Sequence, residues 1–218
     1  MLPMTRFAIL LGGDLVATPR LFRQIAGARV IAADSGMRHA AALGLTPELW
    51  TGDFDSVEDG LRAHHADVPM EIFPPEKDQT DGELAVDAAL ARGARELVLV
   101  GAFGGDRADH AYLHLAAALR LAERGLSCLL TSGTQEGAPL LPGREAIFDF
   151  DDGTLFSVLA FSDLEGLTLS GAKWPLEDRF VPFGSSLTLS NQVRGRLTAR
   201  LAQGRALVVA RPASHYVL

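Results

Sequence analysis

Residues 96–131 read ELVLVGAFGGDRADHAYLHLAAALRLAERGLSCLLT. A short β-type run stops at a glycine-rich turn, a helical stretch rich in Ala and Leu follows, and a second β-type run closes the segment. A strand that must meet a parallel neighbour needs a crossover, and a helix is its usual form. Outward from this unit the alternation extends back to Arg6: RFAILLG, RVIAAD, ELWTGD and MEIFP are strand candidates, each followed by turn residues and a helical pattern. Such a sequence predicts an α/β unit with a doubly wound, mostly parallel sheet.

After Gly133 the helical pattern stops. GAPLLPGREAIFDF, TLFSVLAF, GLTLSGA, SSLTLSN, GRLTARL and ALVVARP are short runs parted by Gly, Pro, Asp and Asn, which predicts an antiparallel β-sandwich or barrel. The change of character falls in TSGTQEGAP, residues 131–139. The expected organisation is therefore an α/β domain over 1–135 and an all-β domain over 136–218. There is no internal repeat and no low-complexity segment.

The chain has 218 residues, 48% hydrophobic and 22% charged, enough to bury a sizeable core. The formal charge of −7 argues against nucleic acid as a partner. An acidic chain can still hold a polyphosphate where a divalent cation bridges carboxylate to phosphate, and that requires clustered aspartates. The single cysteine, Cys128, lies in the apolar run SCLLTS, so the expectation is a buried thiol in a reducing compartment. The N-terminal MLPMTRFAILLGGD is too short in apolar residues for a signal-peptide core, and no run approaches membrane-spanning length. The expected setting is the cytoplasm, without membrane association.

In open α/β sheets ligands bind outside the carboxyl ends of the strands. Four polar groups stand there: ADSG at 33–36, GDFDS at 52–56, KDQTD at 77–81 and GGDRADH at 104–110. In an extended segment Asp53 and Asp55 would point to one side with α carbons roughly 6–7 Å apart, so that both could reach one cation. Mg²⁺ suits such a pair, since it takes one or two carboxylates and completes its shell with water and phosphate oxygens. A lone D-x-D is otherwise a solvated turn. Asp34 and the DQTD group, arriving after neighbouring strands, tip the balance toward a site.

Within KDQTDGELAVDAALARG, Thr80 and Glu83 form a T-x-x-E capping box and Gly93 ends the helix. Asp78 and Asp81 are left unexplained as a pair, and although an acid in the first turn also favours the helix dipole, at least one of them is expected at a metal or phosphate site. Gly104 and Gly105 let backbone N–H groups approach a phosphate, and Arg107 can bind its oxygens. His110 and His114 share a helix face at i,i+4 spacing, but no third nitrogen or sulfur ligand accompanies them as zinc would need.

These motifs in this order resemble thiamin pyrophosphokinase: ADSG, LGLTPELWTGDFDSV, KDQTD and the GG-x-R-x-DH pattern, then GLTLSGAKWPLEDRFVPFGSSLTLSN in the second half. The resemblance covers about residues 30 to 191. It implies a catalytic α/β domain, a β-sandwich domain that binds thiamin and dimerises, and a homodimer. The implied reaction is Mg²⁺-dependent transfer of pyrophosphate from ATP to the thiamin hydroxyl with release of AMP. Carried over by residue, Asp53, Asp55, Asp78 and Asp81 are the implied metal site. Asp34, Lys77, Asp78, Thr80, Gly104, Gly105, Arg107, Asp109 and His110 are the implied ATP contacts. Trp174, Thr188, Ser190 and Asn191 are the implied thiamin pocket, where an indole can stack on a cationic ring. Asp55, Asp81 and Arg107 are the implied catalytic groups, with either Asp81 or Asp55 as acceptor of the hydroxyl proton. In this chain Asp106 stands between the glycines and Arg107, and His114 stands where an Asn is common.

Three other readings compete. D-F-D-S-V matches the D-x-D-x-[TV] motif of haloacid-dehalogenase-like phosphatases, but it lacks a strong apolar strand before it. FDFDDGTLF at 148–156 carries an extra Asp and is followed by β-runs, so its DDG reads as a hairpin turn. A pyrophosphokinase for another heterocyclic alcohol, such as a hydroxymethylpterin, or a non-catalytic nucleotide- or thiamin-binding protein, completes the alternatives.

Overall fold

The structure is a computed structural model that describes residues 5–55 and 57–212. Six strands form its parallel part: β1 (Arg6–Leu10), β2 (Arg29–Ala33), β3 (Leu49–Gly52), β4 (Met70–Ile72), β5 (Glu96–Val100) and β6 (Ser127–Thr131). Their order across the sheet is β6-β5-β1-β2-β3-β4, all parallel. β1 and β5 are adjacent, yet the chain leaves β1 toward β2 and leaves β5 toward β6 on the other side. That is the reversal of winding at which open α/β sheets form a crevice.

Helices cover both faces. α4 (Asp81–Ala91) and α5 (Ala108–Glu123) pack on one face, where Ala85, Ala89, Leu119 and Leu121 meet Phe7, Ile9, Leu97 and Leu99. α1 (Pro19–Ile25) and α2 (His39–Leu43) cover the other, where Leu21, Ile25, Ala40 and Leu43 meet Ala8, Leu10, Val98 and Val100. A short α3 (Asp59–His64) links β3 to β4. Strands enclosed on both faces cannot alternate polar with apolar residues, hence the unbroken apolar runs of β1 and β5. Cys128 is buried on β6, and burial pushes its thiol up to about 12.

At Thr131 the pairing changes direction. β7 (Glu136–Leu140) runs antiparallel to β6, and β13 (Ala206–Arg211) and β9 (Leu155–Ala160) extend the same sheet. A second layer consists of β8 (Glu145–Phe148), β12 (Asn191–Arg200), β10 (Leu164–Ala172) and β11 (Leu176–Val181), all antiparallel. The start of β12 pairs β9 and the rest pairs β10 and β8, so one long strand serves both layers. Between them lies an apolar core of Phe156, Val158, Leu167, Val193, Leu197 and Val208. The fold is the expected α/β unit followed by an antiparallel β unit.

Two local expectations are corrected. SSLTLSN is no strand: its alternation is inverted, with Thr188 buried and Leu187 and Leu189 exposed, and it forms turns before β12. The DDG segment turns the chain, with Gly153 at φ 87°, but β8 and β9 do not pair there as a hairpin. Among the described residues, no helix is long and apolar enough to cross a membrane.

Candidate active site

Chain segments leaving β1, β2 and β5, together with the start of α4, enclose a cleft of about 380 Å³ lined by Gly12, Asp14, Asp34, Asp81, Gly104 and Arg107 among others. Its floor is built by close backbone approach. A side chain at Gly13 would collide with the carbonyl oxygens of Gly101 and Phe103, and one at Gly36 with that of Leu10. The turn after β1 is then tied down: the Asp14 carboxylate accepts from the Gly105 N–H at 3.0 Å, and Arg38 donates to the Gly12 and Gly13 carbonyls. His39 Nε2 lies 2.9 Å from the Gly13 carbonyl, and burial holds this imidazole below its ordinary value.

The acidic groups gather at one end. Asp34, Asp53 and Asp81 each place a carboxylate oxygen within 4.8 Å of the others, and they come from three different chain segments. Asp34 follows β2 with φ 43°, and the indole N–H of buried Trp50 donates to its carbonyl at 2.8 Å. Gly52 leaves room for it, since a Cβ there would lie 3.2 Å from the Asp34 Cβ. Asp81 is the first residue of α4, set by the Thr80 cap: the Glu83 N–H donates to Thr80 Oγ1 at 3.3 Å and the Thr80 N–H to Glu83 Oε2 at 3.1 Å. The capping box read from the sequence is present. So is the helix end, with Gly93 at φ 86°.

Asp55 does not join this group, because the segment after β3 is not extended. Phe54 stands at φ 63°, its ring buried edge-on to Trp50 with centroids 5.0 Å apart, and this turns Asp55 outward to solvent. The geometric premise that i and i+2 carboxylates share a side fails here, and Asp34 takes the third place. The Asp55 N–H donates to Asp53 Oδ1 at 3.2 Å. Asp78 likewise lies outside the cluster, and Ser56 is outside the described residues.

Lys77 is the cationic member. Its ammonium lies 3.1 Å from Asp53 Oδ2 and 2.8 Å from Asp81 Oδ1, with only 13% of the side chain exposed. Burial works against the ammonium, but the two carboxylates outweigh it and raise the Lys77 value. For Asp53 burial is likewise outweighed, by the Asp55 amide and Lys77, and its carboxyl sits below the usual range. For Asp81 burial wins, aided by the charges of Asp53 and Asp34, and the carboxyl sits above it.

On the opposite wall Arg107 precedes α5 and is paired with Asp109 at 2.7 Å, both 65% exposed. That pairing holds the Asp109 carboxyl well below the usual carboxylate range. Arg107 and His110 line the cleft, as do Gly104 and Gly105. The His110 and His114 rings meet edge to face with centroids 6.5 Å apart, and His114 Nδ1 is 3.2 Å from the Ala102 carbonyl.

The residues expected to receive an organic ring lie in the β unit. Trp174 is 54% exposed with Lys173 Nζ 4.5 Å from its ring centroid, so the indole offers a face that already holds a cation. Asn191 is buried and fixes the Trp174 backbone through two hydrogen bonds, of 3.2 and 2.8 Å. Thr188 is also buried, its hydroxyl donating to the Val158 carbonyl at 2.7 Å, whereas Ser190 is exposed at φ 58°. Asn191 and Thr188 thus support the surface on which Trp174 and Ser190 are displayed. Gly12, Gly13, Asp14 and Arg38 were not singled out from sequence, although LLGGD offers the same signal as the other motifs, glycines and an acid after a strand.

The family described as thiamin pyrophosphokinase, catalytic domain, matches residues 25–130, and that described as thiamin pyrophosphokinase, vitamin B1 binding domain, matches residues 146–201. Thiamine pyrophosphokinase of Bacillus subtilis is 30% identical over 183 residues, covering 82% of this chain and 85% of that protein. A crystal structure of thiamine pyrophosphokinase from Bacillus subtilis superposes with a TM-score of 0.83 at 26% identity, covering 96% of this chain and all of that one. One of thiamin pyrophosphokinase from Geobacillus thermodenitrificans gives 0.77 at 26% identity, with 97% and 99% covered. With both halves matched and a relative 30% identical over most of both chains, the chain belongs to the thiamin pyrophosphokinase family.

Proposed function

We propose that the cleft at the β1/β5 reversal binds ATP, that the Asp34, Asp53 and Asp81 cluster holds Mg²⁺ against its phosphates, and that Trp174 receives thiamin. By family the chain is a thiamine diphosphokinase, an enzyme that moves pyrophosphate from ATP to the thiamin hydroxyl and leaves AMP. The observation that carries the assignment of parts is the carboxylate cluster at the end of a glycine-walled cleft. Hard oxygen donors from three segments suit a divalent cation. Bound there, Mg²⁺ would neutralise phosphate charge and favour departure of AMP.

The chain's own groups have the following parts in this reading. The glycine turns after β1 and β5 bring backbone close to the polyphosphate, and Arg107, freed from Asp109, pairs with a phosphate oxygen. Lys77, Asp78, Thr80 and His110 lie around the same polyphosphate. Asp55, turned out beside Asp53, or Asp81, whose carboxyl keeps its proton to higher pH, accepts the proton of the thiamin hydroxyl. Trp174 stacks on the cationic ring in place of the Lys173 ammonium, with Ser190 at its edge and Asn191 and Thr188 behind it. The reading further takes residues 1–135 as the catalytic unit and 136–218 as the thiamin-binding and dimerising unit of a cytoplasmic homodimer.

Purified protein with ATP, Mg²⁺ and thiamin is expected to form AMP and thiamin diphosphate in equal amounts. ADP with thiamin monophosphate would mean a simple kinase and overturn the reading. So would free phosphate without thiamin, or turnover only with a hydroxymethylpterin. The relatives are thiamine pyrophosphokinases, and the phosphatase, pterin and non-catalytic alternatives have no support among them.

A further inference from the structure

Lys77 lies where no surface lysine would settle by chance. Its Nζ is shared between Asp53 Oδ2 at 3.1 Å and Asp81 Oδ1 at 2.8 Å, two of the three carboxylates whose oxygens fall within 4.8 Å of one another. Three carboxylates this close, one of them at φ 43° and another at a helix start, repel one another strongly without a cation. The Lys77 ammonium, set between Asp53 and Asp81, relieves part of that repulsion. The lysine also sits on the KDQTD segment between β4 and the Thr80 cap, outside regular structure. Its side chain can therefore withdraw without breaking a helix or a strand.

We propose that Lys77 is an internal counter-ion that holds the cluster closed while no metal is bound, and that it is displaced by the divalent cation and turned toward the incoming polyphosphate. This rests on the assignment of the cluster as the cation site and adds to it an exchange of one cation for another. The ammonium and a hard dication compete for the same Asp53 and Asp81 oxygens, so entry of one requires departure of the other. The released ammonium carries its charge to the place where ATP adds phosphate charge, which couples metal binding to nucleotide binding through a single side chain. Lys77 is in this sense a positioning residue.

The test needs neither nucleotide nor thiamin, so its failure is distinct from a failure to make thiamin diphosphate. Mn²⁺ binding to the purified chain is measured by the electron paramagnetic resonance of the free ion, for wild type and Lys77→Met, with melting temperatures in EDTA and in Mn²⁺. Lys77→Met is expected to bind Mn²⁺ at least about tenfold more tightly than wild type, because no ammonium competes. It is also expected to melt lower in EDTA and to recover in Mn²⁺. A merely structural lysine would give weaker Mn²⁺ binding in the variant, and equal or weaker binding overturns the proposal. Should Lys77→Met fail to fold, wild type decides. The Lys77 ¹³Cε resonance, assigned by its loss in Lys77→Arg, must shift on addition of Mg²⁺, and no shift overturns the proposal.

Discussion

At the scale of single residues the site is set by two non-glycine positions in the left-handed region, Asp34 at φ 43° and Phe54 at φ 63°. Such conformations cost of order 1–3 kcal/mol each and persist only where the surroundings over-determine them. Trp50 supplies that surrounding for both, donating to the Asp34 carbonyl and packing on the Phe54 ring. The result separates two aspartates that are one residue apart. Asp53→Asn is expected to reduce turnover by at least about a hundredfold and to weaken Mn²⁺ binding, since it removes a carboxylate from the proposed cation site. Asp55→Asn is expected to leave Mn²⁺ affinity in the nucleotide-free protein within about twofold, whatever it does to turnover, because its side chain lies outside the cluster. Parallel kcat and Mn²⁺ titrations distinguish the two, and an equal loss of Mn²⁺ binding in both variants would put Asp55 in the metal shell. Phe54 has no sequence signature for positive φ, which is why i,i+2 reasoning sets Asp55 on the same side as Asp53 whereas the fold turns it to solvent. Asp34 and Asp81 were legible because each follows a recognisable strand end or cap.

At the scale of elements, strands enclosed on both faces were the readable part, since their apolar runs follow directly from burial. β11 was not among the strand candidates: LEDRFV is an edge strand whose middle residues are all exposed and charged or aromatic, as edge strands tolerate. SSLTLSN failed in the opposite sense, because Thr188 turns inward to bond the Val158 carbonyl and accept from its N–H. α5 carries a pH dependence of its own. His114 is half-buried, and burial, outweighing the Ala102 carbonyl, holds its folded-state value below 6.5. Below pH 6.5 the unfolded chain therefore takes up a proton that the native imidazole refuses, and stability falls with pH until the folded value is reached. His39 adds a loss of the same sign. His114→Asn, which can keep the bond to Ala102 without titrating, is expected to lose less stability than wild type between pH 7.5 and 5.0 in urea unfolding. Equal losses would mean that the imidazole is protonated in the fold.

At the scale of the whole molecule the carboxylate cluster belongs to the α/β unit and the exposed Trp174 indole to the β unit. The β unit shows solvent an array of large apolar side chains: Trp174, Phe180, Phe183, Leu187 and Leu189, with Phe183 68% exposed. All five lie between the end of β10 and the start of β12, outside the sandwich core, where leaving them exposed forgoes up to roughly 1.5–3 kcal/mol per side chain relative to full burial. A second copy of the chain is the occupant our functional reading requires, since a site built from Asp53 of one protomer and Trp174 of its partner would bury this surface and complete the cleft together. Asp53→Asn and Trp174→Ala should each be nearly inactive alone. If the site spans two chains, a mixture exchanged through dilute denaturant should recover up to roughly a quarter of wild-type activity, because half of the dimers are hybrids and each hybrid has one intact site. The recovery must rise with time of exchange and vanish if exchange is blocked by cross-linking each variant beforehand. A protein that sediments as a monomer at assay concentration, or a mixture no more active than its components although hybrids have formed, would place both halves of the site within one chain.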